Sequence, residues 1–230
     1  MTAPFGPPSD RPTVVPAGTF VPTVADHPIF SAIYDAALKP FEARGLGVER
    51  HRTLSLARGR VLDVGAGTGL NLPHYPPAVD HVVACEPEPG MRRRLAARAE
   101  VAAVPVTIVP HGIPGLLLEP ESFDTVVCTL VLCTVPDLAR GLEELRNLLA
   151  ADGQLLFLEH VLARTPVGPV QRAVAPGWAH LAGGCHLDRD IIASLRAAGF
   201  VVTDCERPQP LGRISAQTVV RGRAIPRRGT

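Results

Sequence analysis

A doubly wound α/β domain is expected, with seven strands, mostly parallel with an antiparallel last strand, and helices on both faces. Three observations predict it. Short apolar strand-like runs alternate with helix-like segments along the chain, the pattern of a mainly parallel sheet. The decapeptide Val61 to Leu70, V-L-D-V-G-A-G-T-G-L, carries an apolar strand straight into three glycines. Near the C-terminus two strand-like runs follow one another without a helix between them, which makes a hairpin and turns the last strand antiparallel.

Each element follows from local pattern. Residues 1–25 hold Pro4, Pro7, Pro8, Pro12, Pro16 and Pro22, a density that blocks helix and sheet pairing. This stretch is expected to be a flexible arm, either a plain leader or an arm that folds over the active site. From Asp26 to Gly45 the apolar positions Ile29, Phe30, Ile33, Tyr34, Ala37, Leu38 and Phe41 recur at helical spacing, with Asp26 as N-cap. A short helix over Val48 to Leu56 follows. Strands are expected at Arg60 to Val64, His81 to Cys85, Val104 to Val109, Phe123 to Thr129, Gln154 to His160, Phe200 to Cys205 and Ile214 to Val220. The intervening helices are Pro87 to Ala102, with Arg92, Arg93, Arg94 and Arg98 outward, and Leu138 to Leu149, ended by Asp152-Gly153. Two more follow near Val167 to Leu181 and Asp188 to Ala198. One domain over 26–224 results, with a basic tail at 225–230.

Composition removes several classes of function. The net charge is +1 and the pI about 7.8, so no broad basic field exists to hold a nucleic-acid backbone. Aromatic residues make up 4%, too few for a base-stacking platform. Arg221, Arg223, Arg227 and Arg228 read as a solvated tail. No apolar run is long enough for a membrane span. The five cysteines lack C-x-x-C spacing and mostly sit in apolar runs, which points to buried thiols in a reducing compartment, the cytoplasm.

The glycines after the first strand locate a ligand. Gly65, Gly67 and Gly69 follow G-x-G-x-G, whereas the dinucleotide fingerprint G-x-G-x-x-G puts its third glycine where Leu70 stands. Asp63 precedes them, and Ala66 lies within the turn. Glu86 ends the next strand, where a carboxylate can accept from both ribose hydroxyls; the alternative is a surface acid favoured by the N-terminus of the next helix. Pro87 and Met91 are placed to pack on the sugar or adenine, and Gly112 and Ile113 to line the base. The end of the fourth strand, Thr129 and Leu130, opens on the same edge of the sheet. Together these features resemble class I S-adenosylmethionine (SAM)-dependent methyltransferases, a Rossmann-like family. The resemblance implies SAM as cofactor, S-adenosylhomocysteine as product, and direct in-line transfer of the methyl group.

The acceptor side is narrower in its likeness. After the fourth strand the chain lacks the Asn/Asp-Pro-Pro-Tyr/Phe tetrapeptide of many amino-methylating enzymes, and its apolar mouth suits a small apolar acceptor. Cys128 to Val135 (C-T-L-V-L-C-T-V), Glu159-His160-Val161, Ala175 to Leu187 and Glu206 to Pro210 resemble the methyltransferase-like 7 family, the alkyl thiol S-methyltransferases. That implies a thiol acceptor. Mammalian members carry an apolar N-terminal anchor; this chain has a polar, proline-rich arm, so membrane attachment is not carried over. Candidates for base or proton acceptor are His160, with His180 and His186 flanking a glycine-rich turn. Each has a structural alternative. Trp178, Cys133 and Cys185 are candidate pocket walls. No metal site is expected, since His180, Cys185 and His186 lack a fourth ligand at sensible spacing. Competing functions are O- or N-methylation of a small natural product or lipid-like quinol, and a SAM-binding regulator without catalysis.

Overall fold

The computed structural model describes residues 28–161, 168–169, 172–173, 185–186, 189–208 and 218–227. The proline-rich arm, Asp26, Trp178, His180 and nearly all of the helix expected over Val167 to Leu181 lie outside the described residues.

Helix α1 (Pro28–Phe41) starts on a proline, whose fixed φ suits a first helical turn, and runs into a π-helical turn, Glu42–Leu46. Gly45 breaks the run at φ 132°, and α2 (Gly47–Leu54) leaves in a new direction. The single helix expected up to Gly45 is therefore two pieces. Strands β1 (Gly59–Val64), β2 (Val79–Cys85), β3 (Val106–Val109), β4 (Phe123–Thr129), β5 (Leu149–Val161), β6 (Phe200–Glu206) and β7 (Thr218–Pro226) form one sheet in the order β3-β2-β1-β4-β5-β7-β6. The first five pair in parallel, and β7 runs antiparallel to β5 and β6. Helices α3 (Pro89–Ala99), α4 (Leu138–Leu148) and α5 (Ile191–Ala197) each begin on an acidic cap: Glu88, Asp137 and Asp190 accept from Met91 N, Arg140 N and Ala193 N.

Alternation along the strands splits the core in two. Leu62, Val126 and Leu155 pack on one face with Leu142, Leu145 and Leu195, while Val61, Val127 and Leu156 pack on the other with Leu54, Leu72 and Leu95. Each such fully buried leucine contributes about 1.5–3 kcal/mol, so helices are held on both faces. The expected architecture is the observed one.

Two boundaries and two arginine side chains differ for physical reasons. The described last strand covers Thr218 to Pro226 and runs past Ala224 into the expected tail; residues 214–217 of the expected Ile214 to Val220 strand lie outside the described residues. Arg221 and Arg223 belong to this strand. Arg221 is ion-paired with Glu49 of α2 and with Glu206 of β6, so it is no part of a solvated tail. Strand β5 begins at Leu149, with a register shift opposite β4 that absorbs Asp152-Gly153. Arg92 and Arg98 fold back instead of facing solvent: Arg92 donates to Glu86 O (2.9 Å) and Pro87 O, and Arg98 to Thr68 O (2.6 Å) and Asp35 (2.8 Å).

Candidate active site

Strand register assembles the site. Val64 pairs with Cys85 of β2 and with Cys128 of β4, so the next residues, Gly65, Glu86 and Thr129, stand side by side at the carboxyl edge. Ligands of open α/β sheets bind at that edge.

The three glycines do different work. All have positive φ: 62° at Gly65, 58° at Gly67 and 87° at Gly69, values that a Cβ disfavours. A Cβ on Gly65 would lie 2.3 Å from Val131 Cγ2, and one on Gly69 2.9 Å from Leu95 Cδ1. Those two let the loop pack on the protein. A Cβ on Gly67 would meet nothing closer than Gly65 O at 3.9 Å, so its bare face is turned to open space.

Glu86 is buried, and its carboxylate spans the loop. Oε2 accepts from Gly67 N and Oε1 from Glu88 N, each at 2.8 Å. Burial raises its pKa, and the two N–H donors work against that rise. A carboxylate held this way keeps free lone pairs for two vicinal hydroxyls. The bare Gly67 face and the fixed acid together fit the sugar and amino-acid ends of SAM.

Beneath the loop runs a buried polar chain that the sequence did not announce. Arg50 donates to Glu42 Oε1 (2.7 Å), to Asn71 Oδ1 (2.6 Å) and to Thr129 Oγ1 (3.3 Å); Asn71 donates to Asp63 (2.9 Å) and to Thr129 Oγ1 (2.9 Å). Asp63 is fully buried, and burial pushes its pKa up to about 6 against the bond from Asn71. It props the loop from below and does not line the ligand space, contrary to its expected contact role. Thr129 is likewise occupied in this network, and Ala66 N is bonded to Cys85 O. Ile113 turns into the core against Gly141, Met91 is buried at the start of α3, and Gly112 packs on Pro87. Leu130 takes φ 56° and is partly exposed at the edge.

Helix α1 crosses the mouth. Asp35 accepts from Thr68 Oγ1 (2.6 Å) and Arg98, fastening α1 to the glycine loop and α3. Tyr34 titrates at about 12, raised by burial first; Arg50 lowers it, while Glu86 and Cys133 raise it. It thus stands among groups of both halves of the site, although its spacing in the sequence marked only an apolar helix face.

Past Thr129 lies the second half. Val131 N and Leu132 N donate to Glu159 Oε1 at 3.0 and 2.9 Å. Glu159 is fully buried, and burial lifts its pKa to about 8 against those donors. Cys133 Sγ and Cys185 Sγ are 3.4 Å apart, and Cys185 Sγ is 3.9 Å from His160 Nδ1. The thiol–thiol hydrogen bond and burial both hold Cys133 well above the usual thiol range. Of the proposed histidines, His160 is half-buried beside these sulfurs. His186 is exposed, and its backbone N–H donates to Cys133 O at 2.9 Å. Cys185 therefore meets Cys133 and His160; His180, weighed with it from sequence, lies outside the described residues. A charged residue inside L-L-F-L-E-H-V was the available signal for Glu159; Arg50 had none.

A family model described as a methyltransferase domain matches residues 62–157. Thiol S-methyltransferase TMT1B of Rattus norvegicus is 34% identical over 173 residues, covering 72% of this chain and 70% of that protein. The Homo sapiens TMT1B is 35% identical over 182 residues, covering 75% and 73%. Among solved structures, the DhpI–SAH complex superposes with a TM-score of 0.64 at 18% identity, covering 87% of this chain and 93% of that one; it is a likeness of fold. The site geometry fits SAM, and with these relatives the chain belongs to the methyltransferase-like 7 family of class I SAM-dependent methyltransferases.

Proposed function

We infer that the protein transfers the methyl group of SAM to the sulfur of a small apolar thiol. The observation that carries this reading is the pair of TMT1B relatives, each a named thiol S-methyltransferase matching about three quarters of the chain. The acceptor side is consistent with it: among the described residues it brings together the thiols of Cys133 and Cys185 and the imidazole of His160.

SAM brings a methyl group already activated by its sulfonium. The chain has to bind, orient and exclude water. Glu86 and the Gly67 face fix one end of the cofactor. Leu130 and Val131, at the end of β4, face the acceptor. Alignment for in-line displacement is the main catalytic task. A thiol needs little help, because its pKa of about 8.5 leaves a few per cent thiolate near neutrality. His160, at the end of β5, is the expected proton acceptor; His180 and His186 are secondary candidates. A hydroxyl would need a stronger base, which disfavours O-methylation here.

A small-molecule acceptor, action in the cytoplasm and no nucleic-acid partner complete the reading. All five cysteines are free, and among the described residues no helix is long and apolar enough to cross a membrane. The test is a panel of thiol, phenol, amine and quinol acceptors with S-adenosylhomocysteine release as readout. Turnover with thiols is expected. Turnover confined to oxygen acceptors would overturn the sulfur assignment, and SAM binding without any turnover would point to a regulator.

A further inference from the structure

Cys133, His160 and Cys185 come from three separate parts of the chain, and their ligand atoms all lie within 4.8 Å of one another. We propose that these three side chains form a thiophilic metal site, selective for zinc or a similar soft divalent cation, whose fourth position takes the sulfur of the acceptor. The acceptor role rests on the thiol reading above; the metal site itself does not.

The geometry matches. Zinc bonds of about 2.3 Å to sulfur and about 2.0 Å to nitrogen put tetrahedral ligand edges at about 3.8 Å (S to S) and about 3.6 Å (S to N). The observed separations are 3.4 Å between the sulfurs and 3.9 Å from Cys185 Sγ to His160 Nδ1. A shift of a few tenths of an ångström closes those two edges, and the third, Cys133 to His160, lies within 4.8 Å. Two thiolates and a neutral imidazole balance a divalent charge. Two sulfurs with one nitrogen are a donor set for zinc or another soft cation, not for magnesium or calcium.

The supports are rigid. His160 is held by β5 pairing to Val219 of β7. The segment carrying Cys185 is pinned to the one carrying Cys133 by His186 N donating to Cys133 O (2.9 Å). Arg189 donates to Leu132 O (2.8 Å) and Val135 O (2.6 Å), fixing the same turn. Both cysteines are buried and His160 is the partly exposed member, so the open coordination position lies on the side of His160, at the carboxyl edge that also holds the cofactor loop. Among the described residues the site has three protein ligands, which with one open position make a catalytic type of site, not a closed structural one.

The step balances. With His160 bound to the cation, water replaces it as proton acceptor: the acceptor thiol gives its proton to water as its sulfur takes the fourth position. A sulfur lone pair then forms the bond to the methyl carbon while the bond from that carbon to the sulfonium sulfur breaks, leaving its electron pair on S-adenosylhomocysteine. The neutral thioether binds the cation weakly and leaves.

The test titrates the reduced, metal-stripped full chain with cobalt(II), then displaces it with zinc. One equivalent is expected, with the visible bands of tetrahedral cobalt and a thiolate-to-cobalt charge-transfer band. Cys133→Ser and Cys185→Ser should each weaken binding at least about a hundredfold and His160→Ala about tenfold, while SAM affinity, reporting an intact fold, stays within about twofold. Ethanethiol should shift the cobalt spectrum and phenol should not. Cobalt binding no tighter than in the Cys133→Ser/Cys185→Ser double variant would overturn the site. Thiol methylation at full rate in the metal-stripped chain would overturn the acceptor role of the metal and leave the sulfur reading standing. An intact cobalt site with oxygen-only turnover would instead overturn the sulfur reading and the acceptor role together.

Discussion

The two halves of the site are built on different principles. On the cofactor side, the ligand-facing groups are a glycine turn and one carboxylate at adjacent strand ends, and Gly67 N meets Glu86 directly at 2.8 Å. On the acceptor side, Cys133, Glu159, His160 and Cys185 come together only through the sheet and the turns that follow it. The first half uses backbone that any side chain would obstruct. The second uses side chains whose partners are far away in sequence. Sugar and carboxylate recognition therefore travels with a short motif, whereas acceptor choice depends on how β4, β5 and the Cys185 segment converge.

The largest expected effect tests whether the cofactor side is really propped from below by a buried acid. Asp63 holds its proton up to about pH 6, from an ordinary value of 3.8. A folded-state pKa above the unfolded one adds stability that is full below about pH 3.8 and is lost as pH rises through 6. Asp63→Asn keeps the acceptor for Asn71 and removes the titration. Between pH 4 and pH 7 the variant should gain on the natural protein by on the order of 3 kcal/mol in urea unfolding. Parallel stability curves would show that Asp63 is not the buried prop described.

Next in size is Glu86→Ala. It removes the acceptor for ribose and frees the Gly67 and Glu88 N–H groups, so SAM affinity should fall about a hundredfold, the equivalent of about 2.7 kcal/mol. Calorimetry measures it. Thiol reactivity at Cys133 and Cys185 should be unchanged, because the hydrogen bonds of Glu86 go to Gly67 N and Glu88 N and not to the sulfurs. A matching change there would break the division between them.

Arg50→Met probes the link between the halves. Arg50 is the long-range tie from α2 to Asn71 and Thr129. Its pair with Glu42 keeps some solvent on the acid, with side-chain exposures of 4% and 20%. The loss should be about 2 kcal/mol, below that of a fully buried pair. Thermal unfolding measures it, and an unchanged midpoint would make the polar chain incidental.

What could be read in advance follows the same divide. The G-x-G-x-G spacing and Glu86 at a strand tip are contiguous signals, and both stand where expected. Alternation of strands and helices was enough for a mostly parallel sheet with an antiparallel last strand. Misreadings arose where a residue's partner is distant. Arg98 looked outward on its helix until Asp35 of α1 closed on it. Arg221 looked like tail until β7 brought it between Glu49 and Glu206. Ile113 was placed beside the base by its position after a strand, but the space against Gly141 takes its side chain into the core. The cysteine–histidine cluster had no spacing to betray it, because its members share a place only in the folded chain.

Gly67→Ala carries the smallest effect and divides the glycine turn itself. An alanine at φ 58° costs about 1–2 kcal/mol of stability from backbone strain, yet its methyl meets no protein atom within 3.9 Å. Gly65→Ala combines the same strain with a 2.3 Å clash against Val131, so it should unfold at lower denaturant than Gly67→Ala. For affinity the added methyl decides: at Gly67 it enters the ligand space, so SAM binding should weaken about tenfold, or about 1.4 kcal/mol, in protein that remains folded. If Gly67→Ala loses stability but binds SAM as before, the open face is not where the cofactor lies. The glycine would then serve only the turn, and the cofactor side would owe its ligand to Glu86 alone.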